Sequence, residues 1–224
     1  MNDSRDRILQ RLRSARPVNV ERSAAWQDVE LFADYPSSTE QRLEHFIARI
    51  VSLRGEFFRA RDVHEAAARL KGLLQTSLLR ESLPPLRALR HACGLLDEVF
   101  QKEAWLAQNC FLTQSEMANF EVEQFEAGVT TADFLVARTG SIVLLAGNSG
   151  GRRLSVLPPF HIVVAKIEQL VDSLDEVFAA LGKKDQNETS FMTIITGPSR
   201  TSDIEKTLVL GAHGPKRLAV ILIG

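Results

Sequence analysis

Residues able to bind or transfer charge crowd into one segment, Thr196-Gly197-Pro198-Ser199-Arg200-Thr201-Ser202-Asp203. It follows an apolar run, Phe191 to Ile195, and precedes Ile204 and Leu208, so it reads as the link from a buried strand into a helix. In open α/β sheets, ligands collect outside the carboxyl ends of strands, where a helix starting nearby aims free N–H groups at them. That position favours an anion. Gly197 allows close backbone approach, Ser199 and Thr201 offer hydroxyls, and Arg200 can grip a carboxylate or phosphate through two parallel hydrogen bonds. A plain structural reading competes with this one, because Ser202 and Glu205 form a capping box and Gly-Pro is ordinary turn chemistry. The segment lacks the GxxxxGK[ST] pattern of a phosphate-binding loop, so ATP hydrolysis gains no support.

Two more segments carry polar groups. Thr130-Thr131-Ala132-Asp133 is expected to lead into a short helix, after which Ala137-Arg138-Thr139-Gly140-Ser141 turns tightly into a strand. The threonine hydroxyls and Asp133 can reach a strand-end crevice, whereas the structural alternative makes Thr130 or Thr131 a helix N-cap and Gly140 a C-cap. Gly147-Asn148-Ser149-Gly150-Gly151-Arg152-Arg153 is a glycine-rich connection before Pro158-Pro159, but its glycines do not follow GxGxxG.

Five histidines occur, and two adjoin site-like loops: His161 after the proline pair, and His213 in Gly211-Ala212-His213-Gly214-Pro215. Histidine moves protons near neutral pH, so both are candidate acids or bases, although a lone histidine more often serves structure. No HExxH or clustered ligand spacing points to a metal. Cys93 and Cys110 are too far apart for a CxxC motif and read as packing residues.

These groups need a scaffold. The chain has 224 residues, 45% of them hydrophobic, enough for one sizeable core. Lys+Arg 27 against Asp+Glu 28 leaves a net charge of -1, which gives no global field for holding nucleic acid. The start, MNDSRDRILQRLRSARP, lacks the apolar core of a signal peptide, and no stretch reaches membrane-spanning length, so a cytoplasmic setting is expected.

Residues 1–36 read as a short amphipathic helix, with Ile8 and Leu12 on one face, and an arm able to clasp a second subunit of a homo-oligomer. Residues 37–224 form the main domain. Ser37 and Glu40 cap a helix carrying Leu43, Phe46, Ile47 and Ile50; Glu56 to Arg59 suits a strand, and Asp62 with Glu65 opens another helix. Leu86 to Cys93 is read as a strand and Leu95 to Trp105 as a helix, while Phe111 to Gly128 fits no single element. Farther on, Ser141 to Leu145, Phe160 to Ala165, Phe191 to Thr196 and Leu218 to Ile223 read as strands, and Ser173 to Leu181 as a helix. The near-continuous apolar runs IVLL, IVVA and LAVILI imply strands covered on both faces, hence a layered α/β fold.

TADFLVARTGSIVLLAG, LPPFHIVVAKI and ITGPSRTSDIEKTLVLGAHGPKRLAVILI resemble characteristic segments of the LUD-domain family, particularly its lactate-utilisation C type. The likeness covers the C-terminal half in recognisable motifs. It implies a Rossmann-like layered sheet of the NagB/RpiA/CoA transferase-like type, with an N-terminal helical extension. It also implies a role in oxidising L-lactate to pyruvate beside an iron–sulfur oxidoreductase and a ferredoxin-like LUD protein, with the iron–sulfur clusters in those partners and no cofactor in this chain. The positions it carries over as a candidate crevice for a small carboxylate or phosphate are Thr139, Gly140, Pro158, Pro159, His161, Gly197, Pro198, Ser199, Arg200, Thr201, Asp203, Glu205, His213, Gly214 and Pro215. The alternative is a free-standing enzyme of the CoA transferase, sugar-phosphate isomerase or formyltetrahydrofolate cyclo-ligase-like fold, which rests on analogy between folds; an acyl-CoA transferase would need a nucleophilic glutamate, for which that analogy nominates Glu126, before Gly128.

Overall fold

A computed structural model of the chain describes residues 3–14, 38–78, 87–114, 117–146, 152–182, 191–201, 209–210 and 214–224. The chain divides into two units, Met1–Tyr35 and Pro36–Gly224. In the first, helix α1 (Asp3–Ser14) leaves Ile8 and Leu12 exposed.

The second unit opens with α2 (Thr39–Ser52). Its N-cap is Ser38, whose side chain accepts from the Gln41 amide, one residue later than the Ser37 expected from the capping pattern. The apolar positions Leu43, Phe46 and Ile50 are buried, as their helical spacing requires. The chain then reverses at Arg54 and Gly55 into β1 (Glu56–Ala60), and Asp62 Oδ1 accepts from the Glu65 amide to cap α3 (Val63–Leu78). Next come β2 (Ala88–Arg90), α4 (Gly94–Gln101), α5 (Ala104–Asn109), β3 (Cys110–Leu112), α6 (Asn119–Val122) and β4 (Ala127–Thr131). The single helix expected over Leu95 to Trp105 is two, interrupted at Lys102 and Glu103, and the segment Phe111 to Gly128 resolves into β3, α6 and the start of β4.

After β4 the chain bends straight into β5 (Phe134–Val136), turns at Gly140 and returns as β6 (Ser141–Leu145). No helix follows Thr131, so neither threonine caps one. Gly140, at φ +65, occupies a strand-to-strand turn instead of a helix C-cap. Then follow α7 (Arg153–Val156), β7 (Phe160–Lys166), β8 (Leu170–Val171), α8 (Leu174–Leu181), β9 (Met192–Ile195), β10 (Arg200–Thr201), β11 (Val209–Leu210) and β12 (Arg217–Ile223).

Six strands form one parallel sheet in the order β1-β12-β7-β4-β2-β3. Its centre is β7 beside β12, registered over seven residues from Arg217 opposite Phe160 to Ile223 opposite Lys166. These are the IVVA and LAVILI runs, buried on both faces. One face packs against Leu70 and Leu74 of α3, Leu96, Val99 and Phe100 of α4, and Leu106 of α5. On the opposite face, Leu154 of α7 joins Leu89, Val122 and Phe125, and Phe46 of α2 meets Phe57 edge to face with centroids 6.2 Å apart. A second sheet has the order β8-β5-β6-β9, with β6 antiparallel to both neighbours. The IVLL run therefore belongs to this smaller sheet. Its Val143 faces Val177 of α8.

Two positions hold the layers in register. A Cβ on Gly128 would stand 2.0 Å from the Leu154 carbonyl oxygen, so β4 and α7 touch backbone to backbone there. His161, on the same face of the parallel sheet, is fully buried and pairs through Nε2 with Thr130 Oγ1 at 2.9 Å, tying β7 to β4. Burial pushes its pKa down to about 3, so it is neutral at physiological pH.

Gly128→Ala is expected to cost about 3 kcal/mol or more in urea unfolding, through the overpacking it forces. Gly72→Ala, where a Cβ meets nothing within 4 Å on α3, should stabilise by up to about 1 kcal/mol. Equal effects would contradict the close contact. Between pH of about 3 and 6.5 the unfolded chain takes a proton on His161 that the folded chain refuses, so stability falls as the pH drops through that window. Replacing His161 with Gln should flatten the dependence by up to about 1.4 kcal/mol per pH unit; parallel curves for parent and variant would refute the assignment.

Candidate functional site

Neighbouring strands β2 and β4 send their chains in opposite directions. From β2 the chain crosses through α4 and α5 to β3 at the sheet edge. From β4 it reaches β7, on the other side, by way of β5, β6 and α7. Where parallel strands diverge like this, their carboxyl ends cannot be covered by a connection, and a crevice is left.

That crevice is present, with a volume of about 610 Å³. Its walls are the residues that end three strands: Ala92, Cys93 and Leu95 after β2, Thr131, Ala132 and Asp133 after β4, and Lys166, Glu168 and Gln169 after β7. Cys93 is the N-cap residue of α4 and makes no side-chain capping bond. The Asp97 amide bonds back to the Cys93 carbonyl, which leaves the amides of the first turn of α4 without partners inside the helix. Cys93 Sγ stands 4.0 Å from Thr131 Oγ1.

The floor is fixed from behind. His91 is buried, and its Nε2 accepts the Thr131 backbone N–H at 3.2 Å, which holds the ring in the neutral tautomer protonated at Nδ1. Burial pushes its pKa down, with Arg90 adding to the effect. Arg90 is occupied by Asp97 at 2.6 Å and lies over the Phe100 ring. Asp133 Oδ2 accepts the Leu145 amide at 2.7 Å, and Gln169 Nε2 donates to the Ala132 carbonyl. The bend from one sheet to the other is thereby pinned at the crevice, where an ammonium, two carboxylates and a helix N-terminus can meet a polar ligand.

The residues singled out in the sequence go elsewhere. β9 belongs to the smaller sheet, as an edge strand antiparallel to β6, so the turn Gly197 to Ser199 does not follow a strand of the parallel sheet. Apolar runs of this kind do not say which sheet they join. The Ser199 amide donates to the Pro215 carbonyl at 2.9 Å, and the Lys216 amide to the Pro159 carbonyl at 2.8 Å, which gathers Pro159, Ser199, Gly214 and Pro215 beside the amino ends of β7 and β12. Thr139 and Ser141, at the β5–β6 turn, and Thr196, directly after β9, share hydroxyl hydrogen bonds of 2.7 and 2.8 Å. Gly197 has φ +89, and Pro198 is buried. Arg200 and Thr201 form β10, paired with β11. Asp203, Glu205 and His213 lie outside the described residues.

His161 has no solvent-exposed surface, so it enters this rim as a neutral structural group. Glu126 is exposed at the start of β4, on the amino side and away from the crevice. Arg153 is spent on the carbonyls of Met117 and Gln114, and Arg152 stacks on Phe191. Thr131 and Asp133 are the two polar residues from the sequence analysis that do reach the crevice. Lys166, Glu168 and Gln169, at and just beyond the end of β7, also line it without standing out in the sequence, and Cys93, read there as a packing residue, both packs against the main core and lines the crevice. Among the described residues, no group of three or more His, Cys, Asp or Glu side chains is arranged to hold a metal ion, and no helix is long and apolar enough to cross a membrane.

Comparison with known proteins places this architecture. The crystal structure of a DUF162 family protein from Deinococcus radiodurans superposes with a TM-score of 0.61 over 84% of this chain and 100% of that one, at 23% identity, so the layered, Rossmann-like fold is shared. A protein named Lactate utilization protein C from Deinococcus radiodurans is 29% identical over 214 residues, 92% of this chain and 93% of that protein. Another of that name, from Halalkalibacterium halodurans, is 37% identical over 114 residues, and this alignment spans only half of each chain, 50% and 50%. The family model for the LUD domain matches residues 43–223, from α2 to the last residue of β12. On this match the chain belongs to the LUD-domain family.

Proposed function

We propose that this chain is a component of an L-lactate utilisation system, serving the oxidation of lactate to pyruvate in the cytoplasm beside iron–sulfur partner proteins. The observation that carries this reading is the alignment, across almost the whole of both chains, with a protein named Lactate utilization protein C. The chain has two cysteines, and Cys110 is buried with its thiol pKa pushed up to about 12. An iron–sulfur cluster usually takes four thiolates. The proposal therefore assigns electron transfer to the iron–sulfur oxidoreductase and the ferredoxin-like LUD protein, and a binding role to this chain.

The ligand in this reading is a small anion, carboxylate or phosphate, held in the carboxyl-edge crevice. Lys166 and the first-turn amides of α4 supply the positive end. Thr131 and Asp133 offer partners for a neighbouring hydroxyl, the second functional group of a 2-hydroxy acid. The turn at Gly197 to Thr201 is the competing location, and Arg200 is its discriminating residue.

Deleting the gene should abolish growth on L-lactate as sole carbon source while sparing growth on pyruvate; unchanged growth on lactate would contradict the role. In calorimetry with lactate and pyruvate, Lys166→Ala should weaken binding about tenfold, or ~1.4 kcal/mol, with Arg200→Ala close to the parent. The reverse pattern would move the site to the turn.

A further inference from the structure

The parallel sheet ends in two unlike edges. β1 carries charge and cover: Arg59 donates through Nε to the Gly224 carbonyl at 2.8 Å, pairs with Glu40 at 2.8 Å, and Phe57 meets Phe46 of α2. Sheets keep their edges from pairing with other chains by such means. β3 is different. Cys110-Phe111-Leu112-Thr113 is uncharged, and among the described residues no strand pairs with its outer side. The Thr113 amide donates to the Arg90 carbonyl, so Phe111 and Thr113 turn their backbone groups to β2, and Leu112 between them presents its N–H and C=O outward. Phe111 is 42% exposed and Leu112 49%, on opposite faces of the strand. On the face covered by α4 and α5, a groove of about 480 Å³ opens beside Leu112, with Asp97, Phe100, Gln101, Ala107 and Cys110 in its walls. Its charges cancel, since Arg90 and Asp97 stand 2.6 Å apart. The groove therefore suits an uncharged, apolar side chain carried on an extended segment.

We infer that β3 pairs antiparallel with β3 of a second copy about a two-fold axis at Phe111, joining two six-stranded sheets into one. The chain itself carries the segment that the groove suits, because Cys110 to Thr113 is uncharged and places Leu112 on the groove face. In this register Leu112 of each copy lies opposite the partner's Cys110 and enters the partner's groove, and its N–H donates to the Cys110 carbonyl there. The Cys110 amide keeps its bond to the Leu106 carbonyl. On the other face Phe111, held by Arg87 over its ring and by Phe125 edge-on at 6.0 Å, meets its own copy in an aromatic cross-strand pair. No unpaired charge has to leave water on either side. The assembly closes at two, because each outer end of the joined sheet is a guarded β1. With so short a strand the contact is small, which sets a Kd of about 10–100 µM.

The test is sedimentation equilibrium of the full chain from roughly 5 to 300 µM, a range that brackets the expected Kd. The parent should pass from monomer to dimer across it. Leu112→Lys puts a charge into the groove and should weaken the dimer by about tenfold or more. Leu112 is half-exposed, so at low concentration this variant should keep the parent's melting temperature. Phe111→Cys should give a disulfide-linked dimer on air oxidation, because directly opposed residues of a non-hydrogen-bonded antiparallel pair stand about 4.5 Å apart at Cα, within disulfide reach. Val51→Cys, at an exposed position of α2, should not link. A parent that stays monomeric throughout, a dimer that Leu112→Lys leaves intact, or Val51→Cys linking as readily as Phe111→Cys would overturn the inference.

Discussion

Two adjacent parallel strands whose chains must leave in opposite directions set the terms for this molecule. A connection cannot pass over the carboxyl ends of β2 and β4 at once, so a gap opens between Ala92-Cys93 and Thr131-Asp133. Everything around the gap acts to keep it from collapsing. His91 buttresses Thr131 from beneath, Asp133 holds the Leu145 amide of the second sheet, and Gln169 ties the end of β7 to the Ala132 carbonyl. The bonds to Thr131 and Ala132 satisfy backbone groups at the bend out of β4, where an unpaired group would cost about as much as a lost hydrogen bond.

The opposite rim of the parallel sheet is built for closure. The Pro159 carbonyl accepts from both Lys216 and Arg217, Ser199 bonds to Pro215, and Arg217 pairs with Glu56 while lying 4.1 Å over the Phe160 ring. Here the glycine- and proline-rich segments solve a packing problem. Gly140, with its left-handed φ, sits where a side chain would collide with Arg49 and Ile50 of α2. Gly128 lets a helix carbonyl reach the surface of a central strand. His161 is sealed within this half, trading its charge for a hydrogen bond to Thr130.

Much of the fold was legible because burial writes itself into composition. The β-branched runs at Phe160 to Ala165 and Leu218 to Ile223 are central parallel strands, and the spacing of Leu43, Phe46 and Ile50 fixes α2. What composition does not carry is which sheet a buried strand joins. Ser141 to Leu145 and Met192 to Ile195 are as apolar as the central strands, yet they pair antiparallel in a second sheet. The turn after β9 reads like the strand-end site of a parallel sheet only if β9 lies in that sheet, and β9 instead pairs with β6 in the other. Thr131 and Asp133 were legible as polar residues after a strand, whereas Cys93, Lys166, Glu168 and Gln169 were not. They come together only once the order β7-β4-β2 is known, and nothing local in the sequence encodes that order.

We propose that the carboxyl-edge crevice, and not the Gly197 turn, receives the ligand. A crystal structure of the chain grown with excess lactate or pyruvate would test this most directly. The expected result is ligand density bounded by Leu95, Thr131 and Lys166. Density seated instead against Gly197 to Ser199, with the crevice holding only solvent, would contradict it.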